Sequence, residues 1–64
     1  MKNKVKELRK SQKLIQEELA ELIGISRQAI NAIEKEKFDP SLPTAFKMAK
    51  LFDLSIEKIF LFKE

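Results

Sequence analysis

The chain has 64 residues, 44% of them hydrophobic and 36% charged, with a formal net charge of +3 and neither cysteine nor histidine. That length allows one domain, residues 1–64, near the lower limit for a self-sufficient core, so help from a second subunit is expected. The composition excludes a disordered tail, a membrane span, disulfides, zinc sites, thiol nucleophiles and imidazole bases; no metal site is expected, and a reducing cytoplasm is the simplest home.

Charge is uneven along the chain. Lys2, Lys4, Lys6, Arg9, Lys10 and Lys13 precede an acidic cluster of Glu17, Glu18 and Glu21. A basic stretch of this kind suits nucleic acid, an acidic protein or anionic lipid, and most often is a solvated helix face.

The apolar spacing is helical almost throughout, and a single Gly with two Pro leaves little loop. An all-α fold of five short helices is predicted. The first covers roughly Lys4 to Ser11, with Val5 and Leu8 facing inward and Asn3 as its N-cap. Leu14 enters the core from the connection. The second runs from about Gln16 to Ile23 and buries Leu19, Ala20, Leu22 and Ile23, with Glu17 and Glu18 near the positive end of its dipole. Gly24 ends it in the left-handed region, and Ser26 caps a third helix from Arg27 to about Lys35.

The stretch Phe38-Asp39-Pro40-Ser41 reads as a turn, followed by a fourth helix from Leu42 to Phe52 that tolerates Pro43 in its first turn. Its buried stripe is Ala45, Phe46, Ala49 and either Met48 or Leu51. Ser55 caps a fifth helix holding Ile56, Ile59 and Phe60. The tail Phe60-Leu61-Phe62 is too apolar to leave in water without a reason.

At about 100° per residue, Ala29, Ile30 and Ile33 of the third helix share an inward side with Ile25. Arg27, Gln28, Asn31 and Lys35 share the outward side, with small Ala32 beside them. A solubilising face usually mixes Glu and Lys in i,i+4 pairs. Here Arg, Gln and Asn dominate, the side chains that present paired hydrogen-bonding groups to guanine or adenine edges. Two helices of about eight residues joined by Gly24-Ile25-Ser26 match a helix-turn-helix, whose second helix enters the major groove.

The stretch from Gln16 to Glu34, QEELAELIGISRQAINAIE, resembles the helix-turn-helix of the Cro/phage-repressor family of bacterial, archaeal and phage transcription regulators. Glu7-Leu8-Arg9, Pro40-Ser41-Leu42 and Leu54-Ser55-Ile56-Glu57 extend the likeness over almost the whole chain. The resemblance implies a compact, five-helix, lambda-repressor-like domain, a DNA-binding homodimer, no enzymatic activity and no cofactor.

Position by position, the resemblance implies that Gln16 bonds a phosphate and braces Gln28. It implies that Ser26 holds a phosphate at the third helix's start, and that Arg27 and Gln28 read bases. Asn31 would reach a phosphate or a base edge, and Lys35 and Lys37 the backbone. Arg9 and Glu34 are implied as a structural salt bridge. Phe60, Leu61 and Phe62 are assigned to a dimer interface on their apolarity, against the alternative that they seal the monomer core.

Three positions depart from the family pattern: Ile15 where a hydroxyl N-cap is usual, and Lys13 and Glu36 where Gly is usual. The functional expectation is a sequence-specific regulator of transcription, a repressor on a pseudo-palindromic operator, with double-stranded DNA and a second copy as partners. Neither a membrane nor a small-molecule ligand is expected. The rival reading is a protein-binding adaptor or antitoxin-like module of the same fold.

Overall fold

The computed structural model describes residues 1–63. The elements, in chain order, are β1 (Lys2–Asn3), α1 (Val5–Ser11), α2 (Gln16–Ile23), α3 (Arg27–Glu34), α4 (Leu42–Phe52), α5 (Ile56–Ile59) and β2 (Phe60–Leu61). The five helices fall where the apolar period places them. The two short strands were not foreseen: they pair antiparallel, Lys2 opposite Leu61 and Asn3 opposite Phe60. A two-residue ladder carries no detectable alternation, so periodicity could not reveal it. It also shortens α5, which ends at Ile59 and hands Phe60 to the strand.

Local chemistry sets each helix start. The N-cap position of α1 is Lys4, not Asn3, and has no side-chain cap bond; Asn3, one residue earlier, accepts the N–H of Val5 through Oδ1 at 3.1 Å, and its Nδ2 donates to the carbonyl of Ile33 at 2.9 Å, tying α1 to the far end of α3. Ser26 Oγ accepts from Ala29 N–H at 3.0 Å, the N-cap bond expected of it, and Ser41, read from sequence only as part of a turn, caps α4 by accepting from Thr44 N–H at 3.3 Å. Ser55 occupies the cap position of α5 without a side-chain cap bond. At α2, Ile15 has no oxygen to offer, but the carboxylate of Glu18 reaches back to the Ile15 N–H at 2.9 Å. Half of a capping box is therefore kept.

Helix ends use the left-handed region four times. Gly24 lies at φ 88°, and Lys13, Glu36 and Asp53 lie at 58°, 63° and 55°. A side chain there costs about 1–2 kcal/mol, which Gly avoids.

The core gathers Val5, Leu19, Ile23, Ile30, Ile33, Met48, Phe52, Ile59 and Phe60 from all five helices and β2. On α4, Met48 is buried and Leu51 partly so. Two expectations fail: Leu22 is 59% exposed and Phe46 54% exposed. Each sits on a helix already filled on its inner side, Leu22 at the flank of the side that buries Leu19, Ala20 and Ile23, and Phe46 opposite Thr44 and Met48. Among the described residues, no helix is long and apolar enough to cross a membrane.

Candidate nucleic-acid interface

Helix α3 is held from three sides. Ile30 and Ile33 are fully buried beneath it, and Ser26 caps its start. At its other end Glu34, whose side chain is 3% exposed, receives Arg9 Nε at 2.6 Å and a second guanidinium nitrogen at 3.3 Å. The remaining guanidinium nitrogen donates to the Leu14 carbonyl at 2.6 Å. The salt bridge implied for Arg9 and Glu34 is present, and it joins α1, the α1–α2 connection and α3. Removing one partner of such a buried pair costs about 3–5 kcal/mol, because the other charge is left uncompensated.

What this frame presents outward is one shallow concavity of about 350 Å³, lined by Arg27, Gln28, Asn31, Ala32, Lys35 and Lys37. Arg27, Gln28, Lys35 and Lys37 are exposed, while Asn31 and Ala32 are half-buried at its floor. Three cations and two amides line it, with no carboxylate among them. Glu36, between the two lysines, is outside that lining; its left-handed backbone turns the chain at this point. Three cations favour an anion here, and amides and guanidinium are side-chain types able to pair with base edges.

Ser26 stands at the start of the same helix, where first-turn N–H groups lack intrahelical partners and favour an anion. Gln16 makes a contact that was not expected of it. Its Nε2 donates to Glu34 Oε1 at 3.0 Å, and no hydrogen bond to Gln28 is found among the described residues. Sequence could not show this, because the partner lies on another helix.

A second surface was only partly anticipated. Met1, Pro40, Leu42, Ala45, Ile56, Glu57, Phe60 and Phe62 line an apolar groove of about 400 Å³. Of the three tail residues assigned to a dimer interface, Phe60 is buried in its own core, Leu61 is partly exposed and Phe62 is 73% exposed. Leu42, 65% exposed, belongs to the groove, and Phe46 lies one helical turn beyond it.

A helix-turn-helix family model matches residues 5–59. An HTH-type transcriptional regulator of Methanocaldococcus jannaschii is 55% identical over 64 residues, spanning all of this chain and 97% of its own. Another, YgzD of Bacillus subtilis, is 47% identical over 64 residues, again spanning this chain fully and 97% of its own. Among solved structures, the restriction-modification controller protein C.AhdI of Aeromonas hydrophila superposes with a TM-score of 0.78 at 32% identity, covering 89% of this chain and 86% of its own.

Proposed function

Because the chain belongs to the Cro/phage-repressor-type helix-turn-helix family of DNA-binding transcriptional regulators, we propose that it is a repressor that binds a pseudo-palindromic operator as a homodimer. The observation that carries this reading is the outward side of α3, a cationic, amide-rich concavity without a carboxylate. Arg27 and Gln28 read bases, and Asn31 reaches a base edge or phosphate. Ser26, with the N–H groups beside it, holds a phosphate, and Lys35 and Lys37 contact the backbone. Two copies of α3 about 34 Å apart enter successive major grooves.

The apolar groove supports self-association through Leu42, Ile56 and Phe62. Two copies related by a two-fold axis bury it isologously, which spares each chain an exposed apolar patch.

Selection from a random duplex pool tests the reading: it should yield an inverted repeat. Binding should fall with salt at a log–log slope of about 0.9 per phosphate neutralised. A protein-binding adaptor of the same fold gives weak, sequence-blind retention instead, and that result overturns the proposal. Sedimentation of Phe62→Ser addresses the dimer. A variant that remains dimeric with unchanged operator affinity removes Phe62 from the interface.

A further inference from the structure

Helix α3 ends on a turn that glycine makes without strain and that this chain makes with a glutamate. Two bonds define it: Glu36 N–H donates to the Ile33 carbonyl and Lys37 N–H to the Ala32 carbonyl, each at 3.0 Å. This is a Schellman closure whose left-handed position is Glu36, at φ 63°. A residue other than glycine persists there only where its surroundings over-determine the backbone. One of those surroundings is Asn3, separated from Ile33 by 30 positions in the chain. From a half-buried position its Nδ2 donates to the same Ile33 carbonyl at 2.9 Å, and it also reaches the Met1 carbonyl at 3.3 Å. A carbonyl only accepts, so the amide nitrogen must face it, and Oδ1 is turned to accept the Val5 N–H at 3.1 Å. Val5 is fully buried, so the amide is anchored at the core on one side and meets the turn on the other.

Helix α3 itself does not rest on this bond. Ile30 and Ile33 seal it, Ser26 caps its start and Arg9 holds Glu34. Beyond the bond lie Lys35 and Lys37, one on each side of the strained residue, both lining the outward concavity while Glu36 stays out of it.

We infer that Asn3 is a positioning residue for DNA binding: its amide braces the strained turn at the end of α3, and that turn aims Lys35 and Lys37 at the phosphate backbone. The inference rests on the proposed DNA-binding role of the concavity. It separates two kinds of contact. Arg27 and Gln28 sit in the first turn of α3 and keep their place without the brace, whereas the two lysines move with the turn. Loss of the brace therefore removes phosphate neutralisation and spares base discrimination.

The test uses Asn3→Ser, which leaves the charge unchanged, keeps a short oxygen for the Val5 N–H and cannot reach Ile33. In the free protein, amide exchange at Lys37 should rise about fivefold or more. Exchange should not change at Gly24, whose N–H bonds the Ala20 carbonyl at 2.8 Å at the end of α2. Affinity for the selected operator and for random duplex should fall alike, by about three- to tenfold, with a log–log salt slope smaller by about 1. All binding is measured at a temperature where the variant is fully folded. Exchange that rises equally at both amides marks a bond serving overall stability, and unchanged affinity and slope mark a turn that does not aim the lysines. Either result overturns the inference, as does a loss confined to the operator.

Glu36→Gly supplies the second arm. With the strain relieved the turn needs no brace, so Asn3→Ser added to Glu36→Gly should alter the salt slope far less than it does alone. An undiminished effect overturns the inference. If the wild-type protein shows no salt-dependent duplex binding, the DNA-binding reading fails and takes the role of the lysines with it, while exchange at Lys37 still reports the brace.

Discussion

Helices α3 and α4 are each sealed along one side, α3 by Ile30 and Ile33 and α4 by Ala45, Met48 and Phe52, and they part company on the other. The outer side of α3 carries hydrogen-bonding groups and cations. The outer side of α4 carries Leu42 and Phe46 among its lysines. Burial has the same cause in both, removal of apolar area from water, so the inner sides say little about function. The outer sides differ in what would satisfy them: a polyanion with patterned edges for α3, another apolar surface for α4. Two helices consecutive in the chain thus differ in what their outer sides can meet.

Four substitutions sharpen that contrast, taken in order of expected size. Met48→Ala, on the sealed side of α4, should cost about 2–5 kcal/mol in a urea titration, since it removes a fully buried side chain and leaves a void. A cost below about 1 kcal/mol would mean that this side is not the core. Gln28→Ala, on the open side of α3, should leave folding unchanged and cost about 1–3 kcal/mol on the operator, with relaxed preference at one base pair. Equal loss on random duplex removes it from base reading.

Glu36→Gly should raise stability by about 0.5–1 kcal/mol, because Glu36 holds φ 63° where Gly is unstrained. It should also strengthen binding to every duplex modestly, by deleting a carboxylate between Lys35 and Lys37. A destabilised Gly variant would show that the strain is absent. Phe46→Ser, on the open side of α4, should shift monomer folding by less than about 0.5 kcal/mol, measured by denaturation at dilution. If its loss matches that of Met48→Ala, the two sides of α4 are not distinct.

The inner side of α3 was legible because its neighbours in sequence settle its phase: Gly24 and Ser26 fix where it begins, and Ile30 and Ile33 have no polar competitor. On α4 and α2 the phase was underdetermined. Phe46 and Leu22 are as apolar as the residues actually buried, and periodicity accepts them until the position of the packing helix is known. The Arg9–Glu34 pair came from family likeness, and spacing alone does not yield it. The Gln16–Glu34 bond was beyond reach, since it depends on the angle between two helices. Glu18 reaching back to Ile15 was missed for a smaller reason: with no hydroxyl at the cap, the motif looks absent, although its other half is intact.

The pairing of Lys2 with Leu61 has a kinetic meaning. It closes a loop of about 60 residues, an entropic penalty of about 3.6 kcal/mol by the logarithmic law for flexible chains. The helices, by contrast, propagate through contacts four residues apart on submicrosecond timescales. Loop-closure entropy therefore favours pairing of the ladder after the helices have formed. Because Phe60 lies within it, its opening would unseat one core residue without melting α2 or α3. Because Phe60 also lines the apolar groove, opening of the ladder would reshape that groove while leaving the outer side of α3 in place.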